Sequence, residues 1–217
     1  MIKYGDMSNG YSQRRTEVLL RWVGSKKRVL DLGCFDGRDS VLLKNQENDV
    51  YGVDITPGPL RKASKRGIKT FLLNIENEKW PFEKNFFDVV IAGELIEHLL
   101  DPDEFLENAR RVLKPHGLLI ITTPNLASLG RRLLLLLGKN PFIEISKYES
   151  INGFPAVGHV KYFVKNSLLK LIKYHKFDVE ELLSDGICLG PITLHIFDRM
   201  FPTLGWRFIL KARKRLR

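Results

Sequence analysis

The chain has 217 residues, of which 44% are hydrophobic and 28% charged, enough to bury a sizeable core in one domain spanning residues 1–217. No apolar run approaches the ~20 residues of a membrane span and the N-terminus lacks the apolar core of a signal peptide, so a cytoplasmic chain without a transmembrane segment is expected. The net charge of +10 hints at nucleic acid, but seven of its cations (Arg199, Arg207, Lys211, Arg213, Lys214, Arg215 and Arg217) fall within residues 199–217, where no acid occurs, leaving about +3 elsewhere.

Residues 1–10 are polar and read as loose. Tyr11 to Val23 predicts an amphipathic helix with Val18, Leu19, Trp22 and Val23 on one face. Val29 to Leu32 is a short apolar strand holding Asp31, followed by the turn Gly33-Cys34-Phe35-Asp36-Gly37 and a helix from Arg38 to about Asn45. The glycines permit backbone angles that side chains forbid and let a ligand lie against the main chain, with the free N–H groups of the next helix turned toward it. Val50 to Asp54 is a second strand, Pro57 to Arg66 a short helix opened by a proline, and Ile68 to Leu73 a third strand. Phe86 to Ala92 is apolar nearly throughout, as in a buried parallel strand. Glu94 to Leu100 predicts one or two helical turns, Asp103 to Leu113 a helix capped by Asp101 or Asp103, and Gly117 to Thr123 a fifth strand. This alternation argues for a parallel α/β sheet with right-handed crossovers.

The pattern breaks over residues 126–160, read as an insertion on the substrate side. Its run Leu133 to Leu137, flanked by Arg131, Arg132 and Lys139, covers every side of a helix, so some leucines must meet the body, a second subunit or a membrane surface; packing over the sheet as a lid is the expected arrangement. A loop with Pro141, Gly153, Pro155 and Gly158 follows. Regular structure resumes with a helix over Lys165–His175, a strand near Asp178–Leu183 and a last strand around Trp206–Lys211. Cys34 and Cys188 have no metal or redox spacing, so both are expected as free thiols.

Ligands of open α/β sheets sit at the carboxyl ends of the strands, where Asp31 and Asp54 fall. A carboxylate after the second strand suits a ribose diol, whose two hydroxyls it can accept. The turn lacks the third-place glycine of G-x-G-x-x-G and contains an acid, which would repel a pyrophosphate beside Asp31 and Asp36 but accommodate a zwitterionic amino-acid group.

Six stretches in order resemble class I S-adenosylmethionine-dependent methyltransferases, of the methyltransferase type 11-like kind: Val29-Leu30-Asp31-Leu32-Gly33-Cys34 with Gly37, Val53-Asp54, Asn74-Ile75-Glu76, Phe87-Asp88-Val89-Val90, Glu94-Leu95-Ile96-Glu97-His98, and Arg111-Val112-Leu113-Lys114-Pro115-His116-Gly117. The resemblance implies a Rossmann-like α/β fold: a seven-stranded, mostly parallel sheet with an antiparallel C-terminal hairpin and helices on both faces. It implies that Asp31, Gly33, Cys34 and Gly37 hold the methionine end of the cofactor, Asp54 the ribose, and Asn74 and Ile75 the adenine edge, with Ile55 a further cofactor contact. The Ala92 backbone lies near the amino acid. Phe35 stands where the family has a second glycine, and Asn74 where it has an aspartate. The last strand becomes an edge strand with a basic end.

A helix from Glu94 would place Glu94, Glu97 and His98 on one face. These groups, joined by His159, can bind a divalent cation, and the arrangement resembles the ubiquinone-pathway O-methyltransferases and the small-RNA 3′-end 2′-O-methyltransferases. His98 alone can instead act as a general base, since an imidazole titrates near neutrality. The expected activity is therefore methyl transfer from S-adenosylmethionine to an oxygen or nitrogen of a small-molecule acceptor. The alternatives are an RNA 2′-O-methyltransferase that uses the basic C-terminus, and a non-catalytic cofactor-binding partner of another enzyme.

Overall fold

Strand and helix alternate from Arg28 to Leu72, and the side-chain alternation along the central strands feeds two separate apolar layers. The computed structural model describes residues 4–141, 158–189, 192–194 and 199–216, with the backbone alone at 4–12, 188–189 and 192–194. Gly153, Pro155 and Arg217, and the side chain of Cys188, lie outside the described residues.

The elements in chain order are α1 (Tyr4–Val23), β1 (Arg28–Leu32), α2 (Arg38–Asn45), β2 (Asp49–Asp54), α3 (Pro57–Lys65), β3 (Lys69–Leu72) and β4 (Phe87–Gly93). A 3₁₀ turn at Ile96–His98 precedes α4 (Pro102–Val112), β5 (Leu113–Pro124), α5 (Leu129–Leu136), α6 (Lys165–Tyr174), β6 (Phe177–Ser184), β7 (Ile187–Leu189), β8 (Ile192–Leu194) and β9 (Arg207–Lys214). Seven strands form one sheet in the order β3-β2-β1-β4-β5-β9-β6. The pairs from β3 to β5 are parallel, whereas β9 runs antiparallel to both β5 and β6. β7 and β8 make a small separate hairpin.

On one face of the sheet Leu30, Leu32, Val90, Ala92, Leu119 and Ile121 pack with α4 and α6 through Leu106, Ala109, Leu168 and Ile172. On the other, Val29, Val89, Ile91 and Ile120 pack with Val18, Leu19 and Trp22 of α1, Leu43 of α2, and Leu60 and Ala63 of α3. α4 starts as the sequence requires: the Asp101 carboxylate accepts from the N–H groups of Asp103 (3.0 Å) and Glu104 (2.9 Å), and Pro102 occupies the first turn.

Four expectations are corrected. α1 begins at Tyr4, seven residues before the expected start, because its second half is anchored in the core and extending a nucleated helix is cheap. The expected helix from Glu94 does not form: Glu94 has φ 52°, its N–H donates to the Thr122 carbonyl at 2.9 Å, and a single 3₁₀ turn follows. The last strand is not an edge. β9 lies between β5 and β6 with Phe208, Ile209 and Leu210 wholly buried, and β6 forms the edge. Finally, the leucine run does not pack over the sheet. α5 turns Arg131 inward, 4% exposed, with its guanidinium 4.7 Å from the Trp206 ring centre, and that register sends Leu133, Leu135, Leu136 and Leu137 to solvent.

Candidate active site

The strand order reverses between β1 and β4, and the crevice of an open α/β sheet lies at that reversal. Gly33 has φ 73° and Gly37 φ 75°, both left-handed. The N–H groups of Gly33 and Cys34 donate to the Val53 carbonyl at 2.8 and 3.0 Å, fixing the turn on the end of β2. At Gly37 glycine is required twice over, since a Cβ would also lie 2.8 Å from that of Ala63. Asp36, placed by sequence inside the ligand turn, is held instead by Arg38 (3.1 Å) and Arg66 (3.4 Å).

The Asp54 carboxylate ends β2 and accepts from the Phe35 N–H at 2.8 Å through one oxygen and the Thr56 N–H at 2.7 Å through the other. Each oxygen has accepted one bond from these donors and can take a second. Around it stand exposed apolar side chains: Phe35 (57%), Ile55 (63%) and Leu72 (60%), the last opposite Asp54 in the β2–β3 register. Asn74 closes the next loop, where its side-chain oxygen accepts from the Glu76 N–H at 3.1 Å, and the Ile75 carbonyl accepts from the Trp80 indole at 3.0 Å.

A cavity of 320 Å³ opens beside the turn, lined by Arg15, Asp31, Gly33, Cys34, Asp36 and Gly93 among others. Asp31 is buried, and that burial raises its pKa to about 7 although the Ser40 hydroxyl donates to it. Burial, reinforced by Asp31 and Asp54, also pushes the Cys34 thiol up, so it is a neutral, inert lining group. Arg15 is not singled out by the sequence. It comes from α1, pairs with Asp39, and reaches within 3.6 Å of the place a Cβ on Gly93 would take. Its Nε is buried without a hydrogen-bond partner among the described residues. No local signal marks it, since its partner lies 24 positions away. Ala92, fully buried at the end of β4, contributes backbone only.

Beyond Gly93 the chain builds a second polar group. The Glu94 carboxylate accepts from the Thr122 hydroxyl at 2.9 Å and pairs with Arg207 at 2.9 Å, which pairs in turn with Asp185 at 2.8 Å. Burial opposes the Arg207 charge, but Glu94 and Asp185 overcome it and raise its pKa, whereas burial raises that of Asp185 to about 7. Glu97 is 1% exposed: one oxygen accepts from the Thr123 hydroxyl at 2.9 Å, while the other has no hydrogen bond among the described residues and lies 3.9 Å from Nε2 of His159. Burial, then Glu94, raises the Glu97 pKa to about 8. His159 is held near by the N–H groups of Val160 and Lys161, which both donate to the Glu97 carbonyl at 2.9 Å. Burial, then His98, lowers the His159 pKa to about 4, so its ring is neutral. The His98 and His159 ring centres lie 4.6 Å apart.

The structure therefore brings together three of the four candidate cation ligands. One ligand atom from each of Glu97, His98 and His159 falls within 4.8 Å of the others. Glu94 is not part of that group, because the left-handed backbone at its position turns its carboxylate to Thr122 and Arg207.

An open sheet with a glycine turn at the strand-order reversal, an acid ending β2 and an antiparallel strand inserted next to the edge is a Rossmann-like α/β fold. Residues 30–121 match the family model described as a methyltransferase domain. Over 102 residues the chain is 33% identical to the ubiquinone biosynthesis O-methyltransferase of Azorhizobium caulinodans, covering 45% of this chain and 40% of that one. Over 116 residues it is 31% identical to the biotin biosynthesis bifunctional protein BioHC of Saccharophagus degradans, covering 51% of this chain and 21% of that one. Both matches span well under two thirds of the relative. Among solved structures, the SAM-dependent methyltransferase of Thermotoga maritima described as a possible histamine N-methyltransferase superposes with TM-score 0.70 at 18% identity, covering 98% of this chain and 95% of that one. The 1,6-didemethyltoxoflavin-N1-methyltransferase of Burkholderia thailandensis, solved with S-adenosylhomocysteine, gives TM-score 0.63 at 15% identity, covering 94% and 78%. These findings show that the chain has the fold of SAM-dependent methyltransferases and that its residues 30–121 match a methyltransferase domain.

Proposed function

We propose that the chain transfers a methyl group from S-adenosylmethionine to an oxygen or nitrogen of a small-molecule acceptor, with His98 as the base. The observation that carries this reading is the division of the site at Gly93: an amino-acid-sized cavity lined by two arginines, Arg15 and Arg38, and three aspartates on one side, and the Glu97, His98, His159 group on the other.

The residues fit the cofactor. Arg15, with its unpartnered buried Nε, suits a carboxylate, and the neighbouring Asp31 suits an ammonium group. The turn Gly33, Cys34 and Gly37 would carry the methionine end, Asp54 the ribose hydroxyls, and Ile55, Asn74 and Ile75 the adenine. When bound, the sulfonium supplies an electrophilic methyl whose transfer disperses charge at sulfur rather than creating it. The protein's task is thus alignment of the acceptor and removal of its proton. His98 receives that proton, and neutral His159 beside it keeps a second cation from forming there. The 126–160 insertion is proposed to shape the acceptor side, where its His159 stands beside His98.

A second reading places a divalent cation on Glu97, His98 and His159, favoured by the closeness of their ligand atoms. An RNA acceptor loses its main motive, because Arg207, Lys211, Arg213 and Arg215 of the basic segment pair with Asp185, Glu180 and Asp178 inside the fold.

Calorimetry with S-adenosylmethionine tests the proposal. The parent binds, and Asp54→Ala binds at least roughly tenfold more weakly with an unchanged circular dichroism spectrum, from the loss of about 1.5–3 kcal/mol per charge-assisted bond. Unchanged affinity removes the ribose assignment, and no binding by the parent removes the proposal.

A further inference from the structure

In an ordinary surface helix the arginines face water and the leucines face the core. α5 does the reverse. Arg131 is 4% exposed against Trp206, while Leu133 (44%), Leu135 (58%), Leu136 (81%) and Leu137 (70%) stand in solvent. At 100° per residue, Leu135, Arg132, Leu136, Leu133 and Leu137 follow one another around the outward side, so the leucines form one face with a cation set into it. The helix start is tied to the turn at 201–204 by the Leu129 N–H, which donates to the Leu204 carbonyl at 3.0 Å. Phe201 (46% exposed) opens that turn, and Met200 (63%) and Arg199, both exposed, precede it in the chain.

A contiguous apolar face of this size marks something that covers it. Its charge indicates what. Arg132 and Lys139 are exposed along and just after the helix, Arg199 is exposed just before the turn at 201–204, and no acid occurs in residues 126–141 or 199–217. A two-fold contact with a second copy would set Arg132 and Lys139 against their own images, like charge on like charge. An anionic lipid surface offers the leucines an apolar layer and the cations a negative one. Eight helical residues are too short to cross a bilayer, and among the described residues no helix is long and apolar enough to do so. An amphipathic helix of this kind lies in the interface plane.

We infer that α5, with the adjoining turn at 199–204, docks the protein reversibly on the surface of an anionic bilayer, the leucines entering the headgroup boundary and the cations facing the headgroups. α5 lies within the 126–160 insertion assigned to the acceptor side, but none of its residues lines the cofactor cavity or belongs to the Glu97, His98, His159 group, so vesicle binding and methyl transfer are tested separately.

Co-sedimentation of the full chain with vesicles tests it. The parent associates with vesicles of mixed phosphatidylcholine and phosphatidylglycerol, weakly with phosphatidylcholine alone, and less as salt rises. Leu135→Glu with Leu136→Glu lowers the partition coefficient roughly tenfold or more, because two exposed apolar contacts are replaced by charges of the lipid's own sign. Both positions are exposed, so the melting temperature and cofactor affinity stay as in the parent; Leu136→Ser with Leu137→Ser, which adds no charge, serves as the second variant and also weakens association. Equal binding to neutral vesicles, no binding to anionic ones, or binding indifferent to both variants overturns the inference. A dimer in sedimentation velocity that the variants dissolve, without vesicle binding, assigns the face to a second copy and overturns it too.

Discussion

Replacing Asp31 with asparagine should stabilise the protein near neutral pH while weakening cofactor binding. Asp31 is 7% exposed at the end of β1, and burial raises its pKa from an ordinary aspartate's 3.8 to about 7. The sign follows directly. The unfolded chain loses this proton near pH 4, whereas the folded chain keeps it to about pH 7. Over that window the folded state holds the extra proton, so its stability falls as pH rises, by about 1.4 kcal/mol for each pH unit. Across the whole interval this amounts to roughly 4 kcal/mol at most, complete once the group has ionised in both states. The amide introduced by Asp31→Asn cannot ionise, and its carbonyl oxygen still accepts from the Ser40 hydroxyl, whose bond to the aspartate measures 2.5 Å. Urea unfolding of parent and variant between pH 4 and 8 should give curves that meet at the acid end and separate toward neutrality, the variant above. Asp185 and Glu97 slope the same way, but they are common to both proteins and cancel in the difference. Parallel curves would refute the assignment of a protonated, desolvated aspartate at this position. Calorimetry on the same variant should show weaker S-adenosylmethionine binding, since the carboxylate made costly by burial is the proposed partner of the ligand's ammonium group.

His98→Asn should reduce kcat roughly 10²–10⁴-fold with cofactor affinity kept, the usual scale for a lost general base, while Glu97→Gln keeps most activity and a chelator changes nothing. Loss of turnover in chelator, restored by Mg²⁺ or Mn²⁺, would assign Glu97, His98 and His159 to a cation, and a near-normal His98→Asn enzyme would remove His98 from both roles. Gly37→Ala should cost roughly 2–4 kcal/mol in thermal or urea unfolding, adding left-handed strain to a Cβ 2.8 Å from that of Ala63; an unchanged melting temperature would mean that the turn is not held as described. Deleting residues 206–217 should give insoluble protein, because it removes the strand between β5 and β6 together with the buried Phe208, Ile209 and Leu210, whereas a soluble, cooperative truncation would contradict that placement.

The parallel half of the sheet was legible because its rules are local. The nearly apolar run Phe86 to Ala92 reads as a doubly covered strand, and the strand found is Phe87–Gly93, while Asp101-Pro102 announces α4 within one turn of its first N–H group. What escaped depended on one residue's backbone or on a distant partner. Glu94-Leu95-Ile96-Glu97-His98 has helical spacing, yet φ 52° at Glu94 aims its carboxylate at Thr122 and Arg207 rather than along a helix face. Arg15 lies in a helix whose sequence announces only its apolar face, and its importance arises from Gly93 and Asp39, brought near by folding.

The charge of the C-terminal segment shows the same limit. Counted along the chain, residues 199–217 are purely basic, which suggests an arm for an anionic partner. Paired across the sheet, they are not. β9 lies against β6, so Arg213 and Lys211 meet Glu180, Arg215 meets Asp178, and Arg207 sits between Asp185 and Glu94. Lys214 is 7% exposed and donates to the Asn85 side chain at 2.9 Å and to the Leu113 carbonyl. The cations of β9 therefore belong to the sheet, and Arg207 in particular ties the antiparallel strand to the carboxylate that opens the acceptor side. A run of like charge in sequence becomes a row of alternating partners once an antiparallel neighbour carries the opposite sign, and linear spacing contains no information about that neighbour.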